Sequence, residues 1–270
     1  MFRPKKQLGQ NFLINDKILP EIINAAEITS GDIIIEIGPG MGILTETLLK
    51  AGAKVFAVEK DFDLIAHLTK KFSNNKNLKI IHQDALWLDL TQFNPSTPLG
   101  AGGYKVVANL PFNVASPLIR KFLESPQKPK LMVVMVQKEV AEKIIAKPGD
   151  SERGILTLAV EFYADAKIVK KISKNNFRPQ PAVDAAILKI VPKIKSDIEP
   201  KLFFRIVKAG FASKRRQVHN SLSATLRLEK NVVLEILKKA KIEPTLRAED
   251  LTLEQWLKLA KVFIKQTPRG

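Results

Sequence analysis

The chain of 270 residues contains no cysteine. Disulfide staples, thiolate nucleophiles and Cys-ligated zinc are thereby excluded. Histidine is scarce as well: His67, His82 and His219 are too scattered to form a local metal motif, so no metal is expected. The longest plain apolar run, 131–136, falls far short of the ~20 residues a membrane span requires. The basic N-terminus has no apolar stretch of the kind a secretory signal carries, so a cytoplasmic, soluble protein is the expectation. Acidic residues are the last scarcity. Against 44 Lys+Arg stand 27 Asp+Glu, a net charge of +17. Such an excess favours a polyanionic partner, through long-range attraction and counterion release.

What is present is a folded composition, 45% apolar and 26% charged, without internal repeats or low-complexity tracts. The length allows one or two domains with a substantial core. A helix is predicted from about Leu19 to Glu27, with Pro20 in its first turn, where a missing N–H costs least. The β-branched run 32–37 reads as a buried strand. It leads straight into Gly38-Pro39-Gly40-Met41-Gly42 and a helical pattern with Leu44, Leu48 and Leu49. Strand, glycine turn and helix open a nucleotide-binding βαβ unit. Ile43 stands where the dinucleotide fingerprint needs its third glycine, so a cofactor with an amino-acid tail suits the turn better than a pyrophosphate. The next strand ends on Glu59, placed to accept from ribose hydroxyls. A third is followed by Asp84-Ala85, where the acid can accept from an adenine amino group.

A fourth strand, 104–108, runs into Asn109-Leu110-Pro111-Phe112. An amide, a proline and an aromatic ring at a strand end can receive an amino group, although Asn-x-Pro-aromatic is also an ordinary turn. Further strands at 131–136, 167–172 and 185–191 flank predicted helices at 116–123, 138–146 and 154–163, giving seven strands in one α/β domain over 1–192. From 193 onward the pattern is helical, with ten Lys/Arg against three acids between 193 and 230. Lys214, Arg215 and Arg216 are candidate phosphate contacts, with a solvated helix face as the plain alternative. Thr252-Leu253-Glu254-Gln255 is a capping-box pattern at the head of the last helix.

These motifs, together and in order, resemble the ribosomal RNA adenine N6,N6-dimethyltransferases, most closely the bacterial small-subunit (KsgA-type) branch. The resemblance rests on Leu8-Gly9-Gln10-Asn11-Phe12-Leu13, Glu36-Ile37-Gly38-Pro39-Gly40, Glu59, Asp84-Ala85 and Asn109-Leu110-Pro111-Phe112. It continues through Phe177-x-Pro-x-Pro-x-Val183-Asp184 and Phe211, Arg215-Arg216, Asn220 and Leu222. It implies a Rossmann-like methyltransferase domain with a seven-stranded mixed sheet at 1–192 and a small all-α RNA-binding domain at 193–270. The cofactor implied is S-adenosyl-L-methionine. Asn11 and Leu13 would close over it, Gly38 and Gly40 contact its methionine portion, Glu59 the ribose, and Asp84 with Ala85 the adenine. Asn109 would sit between cofactor and target base, with Leu110, Pro111 and Phe112 completing the catalytic motif and Phe177 on the base's far side. The implied substrate is a pair of adjacent adenines in the 3′-terminal hairpin loop of small-subunit (16S) rRNA, free or in the 30S particle, each methylated twice by a monomer with a role in small-subunit biogenesis. Ala182, Ala185 and Gln217-Val218-His219 depart from the family pattern and remove possible phosphate bonds. Phe112 stands where Tyr is usual, which keeps stacking and loses a phenol hydrogen bond.

Alternatives are a large-subunit adenine methyltransferase of the macrolide-resistance type and a non-catalytic rRNA-binding assembly factor. A DNA adenine methyltransferase fits less well, since it uses Pro where Leu110 stands.

Overall fold

The computed structural model describes residue 5 and residues 9–93, 102–193 and 197–266. Leu8, part of the N-terminal motif, lies outside them. Two compact units emerge from the contacts, Met1–Ala141 with Ala164–Lys193, and Glu142–Tyr163 with Ile194–Gly270.

The first unit is built on a seven-stranded sheet. Its strands are β2 (Ile33–Ile37), β3 (Lys54–Glu59), β4 (Leu78–His82), β5 (Tyr104–Asn109), β6 (Leu131–Gln137), β7 (Ala164–Ile172) and β9 (Ala185–Pro192). Their spatial order is β4-β3-β2-β5-β6-β9-β7. Pairing is parallel from β4 through β6, whereas β9 runs antiparallel to both β6 and β7. The mixed Rossmann-like sheet expected from the sequence is present. The central strands are buried on both faces, which is why they read as unbroken apolar runs: β6 is buried at every position but Gln137. β1 (Phe12–Leu13) stands apart and pairs antiparallel with β8 (Phe177–Arg178).

Strand order reverses between β2 and β5. In an open α/β sheet that is where the loops diverge and leave a crevice at the carboxyl ends. Gly38 follows β2, Glu59 ends β3 and Asn109 ends β5, so the sequence motifs meet at one edge. Helix α1 (Leu19–Ala25) is two residues shorter than predicted, because Glu27 adopts a left-handed φ of 51° that no helix can continue through.

The second unit is helical, with α6 (Ile155–Tyr163), α7 (Pro200–Gly210), α8 (Val218–Leu226), α9 (Lys230–Ala240) and α10 (Leu253–Gln266). Its segment 142–163 packs with the later helices around Arg153, whose side chain is fully buried. That guanidinium pairs with Glu161 through two bonds of 2.8 Å and donates to the carbonyls of Ala146 at 2.9 Å and Leu251 at 3.3 Å. A buried charge survives when paired and hydrogen-bonded in this way. The capping box before α10 forms as predicted, with Thr252 N to Gln255 Oε1 at 2.9 Å and Gln255 N to Thr252 Oγ1 at 3.2 Å. Among the described residues, no helix is long and apolar enough to cross a membrane.

Candidate active site

A pocket opens at the switch point, lined among others by Asn11, Leu13, Glu36, Gly38, Gly40, Glu59, Asp84, Ala85 and Asn109 to Phe112. The geometry therefore brings together every residue proposed for the cofactor and catalytic motifs. Phe177 is not in the lining.

Asn109 is the centre of the arrangement. Its Nδ2 donates to the Asn11 carbonyl at 3.0 Å. Only the nitrogen end of an amide can donate to a carbonyl, so this bond fixes which end faces which way. Oδ1 then lies buried with no partner, one of two such side-chain atoms among the described residues. Buried polar atoms without partners are rare, and an orphaned acceptor marks a place for a donor. Next to it, Leu110 N donates to Met135 O at 3.0 Å, tying the motif to β6, and Pro111 has no N–H at all.

Phe112 lines the pocket, and the Phe177 ring meets it edge-on with centroids 6.4 Å apart. Phe177 itself is 0% exposed. The far-side stacking role expected for Phe177 lacks an accessible face, because β8 turns its ring into the core beneath Phe112.

The Glu59 carboxylate is held in place by its own turn. Oε1 accepts from the backbone N–H of Lys60 at 2.8 Å and of Asp61 at 2.9 Å. Burial pushes its carboxyl up despite those bonds. Asp84 Oδ2 pairs with Lys60 at 2.7 Å, and Oδ1 accepts from Leu86 N at 3.0 Å; the Lys60 bond, foremost, holds its carboxyl below the usual range. The glycine turn is close-fitted: Gly40 has a φ of 56°, and a Cβ there would lie 2.8 Å from the Phe12 ring. Only glycine meets both demands.

Two acids that sequence reasoning did not assign also matter here. Glu36, the first residue of the glycine pattern, is 1% exposed on β2 and accepts from Thr45 Oγ1 at 2.7 Å. Burial pushes its carboxyl up to about 8. Its signal was an acid inside an otherwise apolar strand. Asp61, two residues past Glu59, is also buried and caps α3 (Phe62–Lys71).

Lys214, Arg215 and Arg216 are exposed on the turn between α7 and α8, rather than on a helix face. No cluster of potential metal ligands occurs among the described residues.

Sheet order, glycine turn and strand-end acids define a Rossmann-like methyltransferase fold. Its relatives narrow this further. The family model for ribosomal RNA adenine dimethylase matches residues 1–265, and the chain belongs to that family. It is 43% identical over 265 residues to a ribosomal RNA small subunit methyltransferase A of Dehalococcoides mccartyi, covering 97% of this chain and 89% of the relative. The protein of that name from Clostridioides difficile is 40% identical, covering 97% and 91%. Among solved structures, a dimethyladenosine transferase from Plasmodium falciparum superposes with a TM-score of 0.80 at 28% identity, covering 94% of this chain and 98% of that one. The 23S rRNA methyltransferase ErmE superposes with a TM-score of 0.71 at 26% identity, covering 93% and 99%.

Proposed function

We propose that this protein uses S-adenosylmethionine to dimethylate N6 of two adjacent adenines in the 3′-terminal hairpin loop of small-subunit rRNA. The observation that supports this reading most directly is the buried, unpartnered Oδ1 of Asn109 in the pocket. The residues present fit the cofactor. Glu59, with one oxygen already held by backbone N–H groups, suits the ribose hydroxyls, and Asp84 with Ala85 suits the adenine. Gly38 and Gly40 put no side chain in the way of the methionine portion, and Asn11 and Leu13 close the arm over it. S-adenosylmethionine supplies a methyl carried on a sulfonium, so its leaving group departs neutral.

The protein's task is then to prepare a poor nucleophile, since the adenine amino lone pair is delocalised into the ring. Asn109 Oδ1 and the Leu110 carbonyl each accept one N–H, drawing the nitrogen toward tetrahedral geometry. Pro111 holds the turn that aims the carbonyl. Positive charge grows on the nitrogen, and acceptors placed in advance stabilise it without reorganisation. The N-methylated nitrogen is then strongly acidic and loses one N–H proton to solvent in each round, so no strong base is needed. Phe112 stacks on the base, a contact worth ~1–3 kcal/mol, and Phe177 supports its ring from the core. The base must leave its stack to enter, which favours a loop adenine. The helical unit holds the RNA backbone, with Lys214, Arg215 and Arg216 on phosphates. A monomer acting in the cytoplasm on rRNA or a 30S particle completes the reading.

The superposition with ErmE keeps a large-subunit adenine as the second reading. The small-subunit names of relatives at 40–43% identity favour the first. The test is transfer from labelled cofactor to unmethylated small and large subunits, with nucleoside analysis and primer extension on each rRNA. N6,N6-dimethyladenosine in the small-subunit loop is expected. Label confined to large-subunit RNA would transfer the assignment to the second reading, and no label in either would favour an assembly factor.

A further inference from the structure

The N-terminal arm reaches the pocket through residues 9–13, and its attachments do more than cover a ligand. At one end Asn11 presents its carbonyl to Asn109 Nδ2 at 3.0 Å, and the Phe12 ring lies against the Gly40 turn. At the other end the arm is fastened to a single carboxylate. Asp61 Oδ1 accepts from Lys5 Nζ at 2.6 Å, and Oδ2 accepts from Gln10 Nε2 at 2.8 Å. Gln10 Oε1 in turn accepts from Lys5 N at 2.7 Å, which closes a ring of three residues. Lys5 also reaches Asp63 Oδ2 at 2.8 Å.

Asp61 would need none of this to cap its helix, for which the bond from Asp63 N at 3.1 Å suffices. Its side chain is 0% exposed while that of Lys5 is 46% exposed, so the pair is anchored on the body and reached by the arm. Burial alone pushes the Asp61 carboxyl up, yet the Lys5 and Gln10 bonds hold it below its ordinary value.

An amide's terminal torsion is broad and nearly two-fold, so an unrestrained Asn109 would present either end to the pocket. The arm removes that ambiguity, because the Asn11 carbonyl accepts only from the nitrogen end. We propose that Asp61 is a positioning residue: by holding Lys5 and Gln10 it keeps the arm closed, and the closed arm turns Asn109 Oδ1 toward the substrate amine. Closure over the cofactor and alignment of the acceptor are thus one event. The proposal rests on the methyltransferase reading for its consequence, and on geometry alone for the latch.

The test uses the full chain with Lys5→Met and Asp61→Asn, singly and together. Asparagine keeps the helix cap, and Lys5 lies outside every helix, so one variant stays informative if the other folds poorly. Three quantities are read: amide hydrogen exchange at Phe12 and at Ile14, whose N–H donates to Asn176 O at 2.9 Å, calorimetric affinity for S-adenosylhomocysteine, and kcat against KM for methyl transfer. Each single variant is expected to exchange faster at both amides and to bind the thioether about threefold to tenfold more weakly, the range of one half-exposed charge-assisted contact. Lower kcat at saturating cofactor should accompany this, with an unchanged melting temperature for Lys5→Met. The double variant should be no worse than the worse single, since both remove one latch. Unchanged exchange and affinity in both singles, or a double equal to their sum, would overturn the latch. Failure of the wild type to methylate small-subunit RNA would instead refute the functional reading, while exchange and affinity would still report on the arm.

Discussion

Asn109→Ala separates the acceptor hypothesis from a general loss of binding. The substitution removes two interactions of different kinds. Oδ1 is buried and unpartnered, so its loss is felt only when a substrate amine is present. Deleting one preorganised group of this sort costs ~10²–10³ in kcat, about 2.7–4 kcal/mol. Nδ2 holds the Asn11 carbonyl at 3.0 Å, and that bond contributes about 0.5–1.5 kcal/mol to arm closure. Cofactor affinity should therefore fall by about tenfold at most, and RNA affinity should stay as in the wild type. The expectation is a fall in kcat that exceeds the fall in cofactor affinity by about tenfold or more. Single-turnover transfer at saturating cofactor, with calorimetry on S-adenosylhomocysteine, measures both numbers. A single-turnover rate within about threefold of wild type would refute the acceptor role. So would a rate loss fully restored by raising the cofactor concentration.

Other expectations concern stability and RNA. Glu36 ionises near 4.5 ordinarily and is pushed up to about 8 when folded, so its contribution is fully present below 4.5 and is lost as pH rises to about 8. Urea midpoints of Glu36→Gln should lack that decline, and parallel curves for variant and wild type would contradict it. Replacing Lys214, Arg215 and Arg216 by Ala should weaken RNA binding and flatten the salt dependence by about 2 units for single-stranded contacts; an unchanged slope would return the cluster to a solvated turn. Gly210→Ala places a Cβ 2.3 Å from the fully buried Trp256 ring, and overpacking of that kind costs about 1–3 kcal/mol. A melting temperature equal to wild type would show that the helices yield there freely.

Much of the catalytic unit was legible because its physics is local. Buried strands show as apolar runs, and β2 through β6 were placed within a residue or so by that signal. The strand-end motifs followed, since a glycine turn or an acid at a strand's end is visible without knowing its neighbours. What escaped depends on partners far away in the chain. β1 is two residues long, has no periodicity, and exists only because Phe177 and Arg178 lie beside it. Phe177 beside a proline-rich turn reads like a stacking ring, and only that pairing turns it inward. Arg153 is enclosed by Glu161 and the Leu251 carbonyl, and around it the segment 142–163 joins the later helices, a grouping that only contacts distant in the chain create. Asp61 drew no assignment, because its hold on the arm depends on Lys5 and Gln10, far away in the chain.

The Asn109 side chain leaves the pocket an acceptor and no free donor. Its Nδ2 is taken by the arm, Leu110 N by β6, and Pro111 has none. Such a mouth can count. An unmodified adenine brings two N–H groups, and each transfer replaces one of them with a methyl. A once-methylated base still satisfies one acceptor and can be turned for a second round. A twice-methylated base satisfies neither, and each stranded buried acceptor costs about 1–3 kcal/mol. On the proposed reaction, the acceptors that hold the substrate amine would then favour release of the finished product, and transfer would end at two.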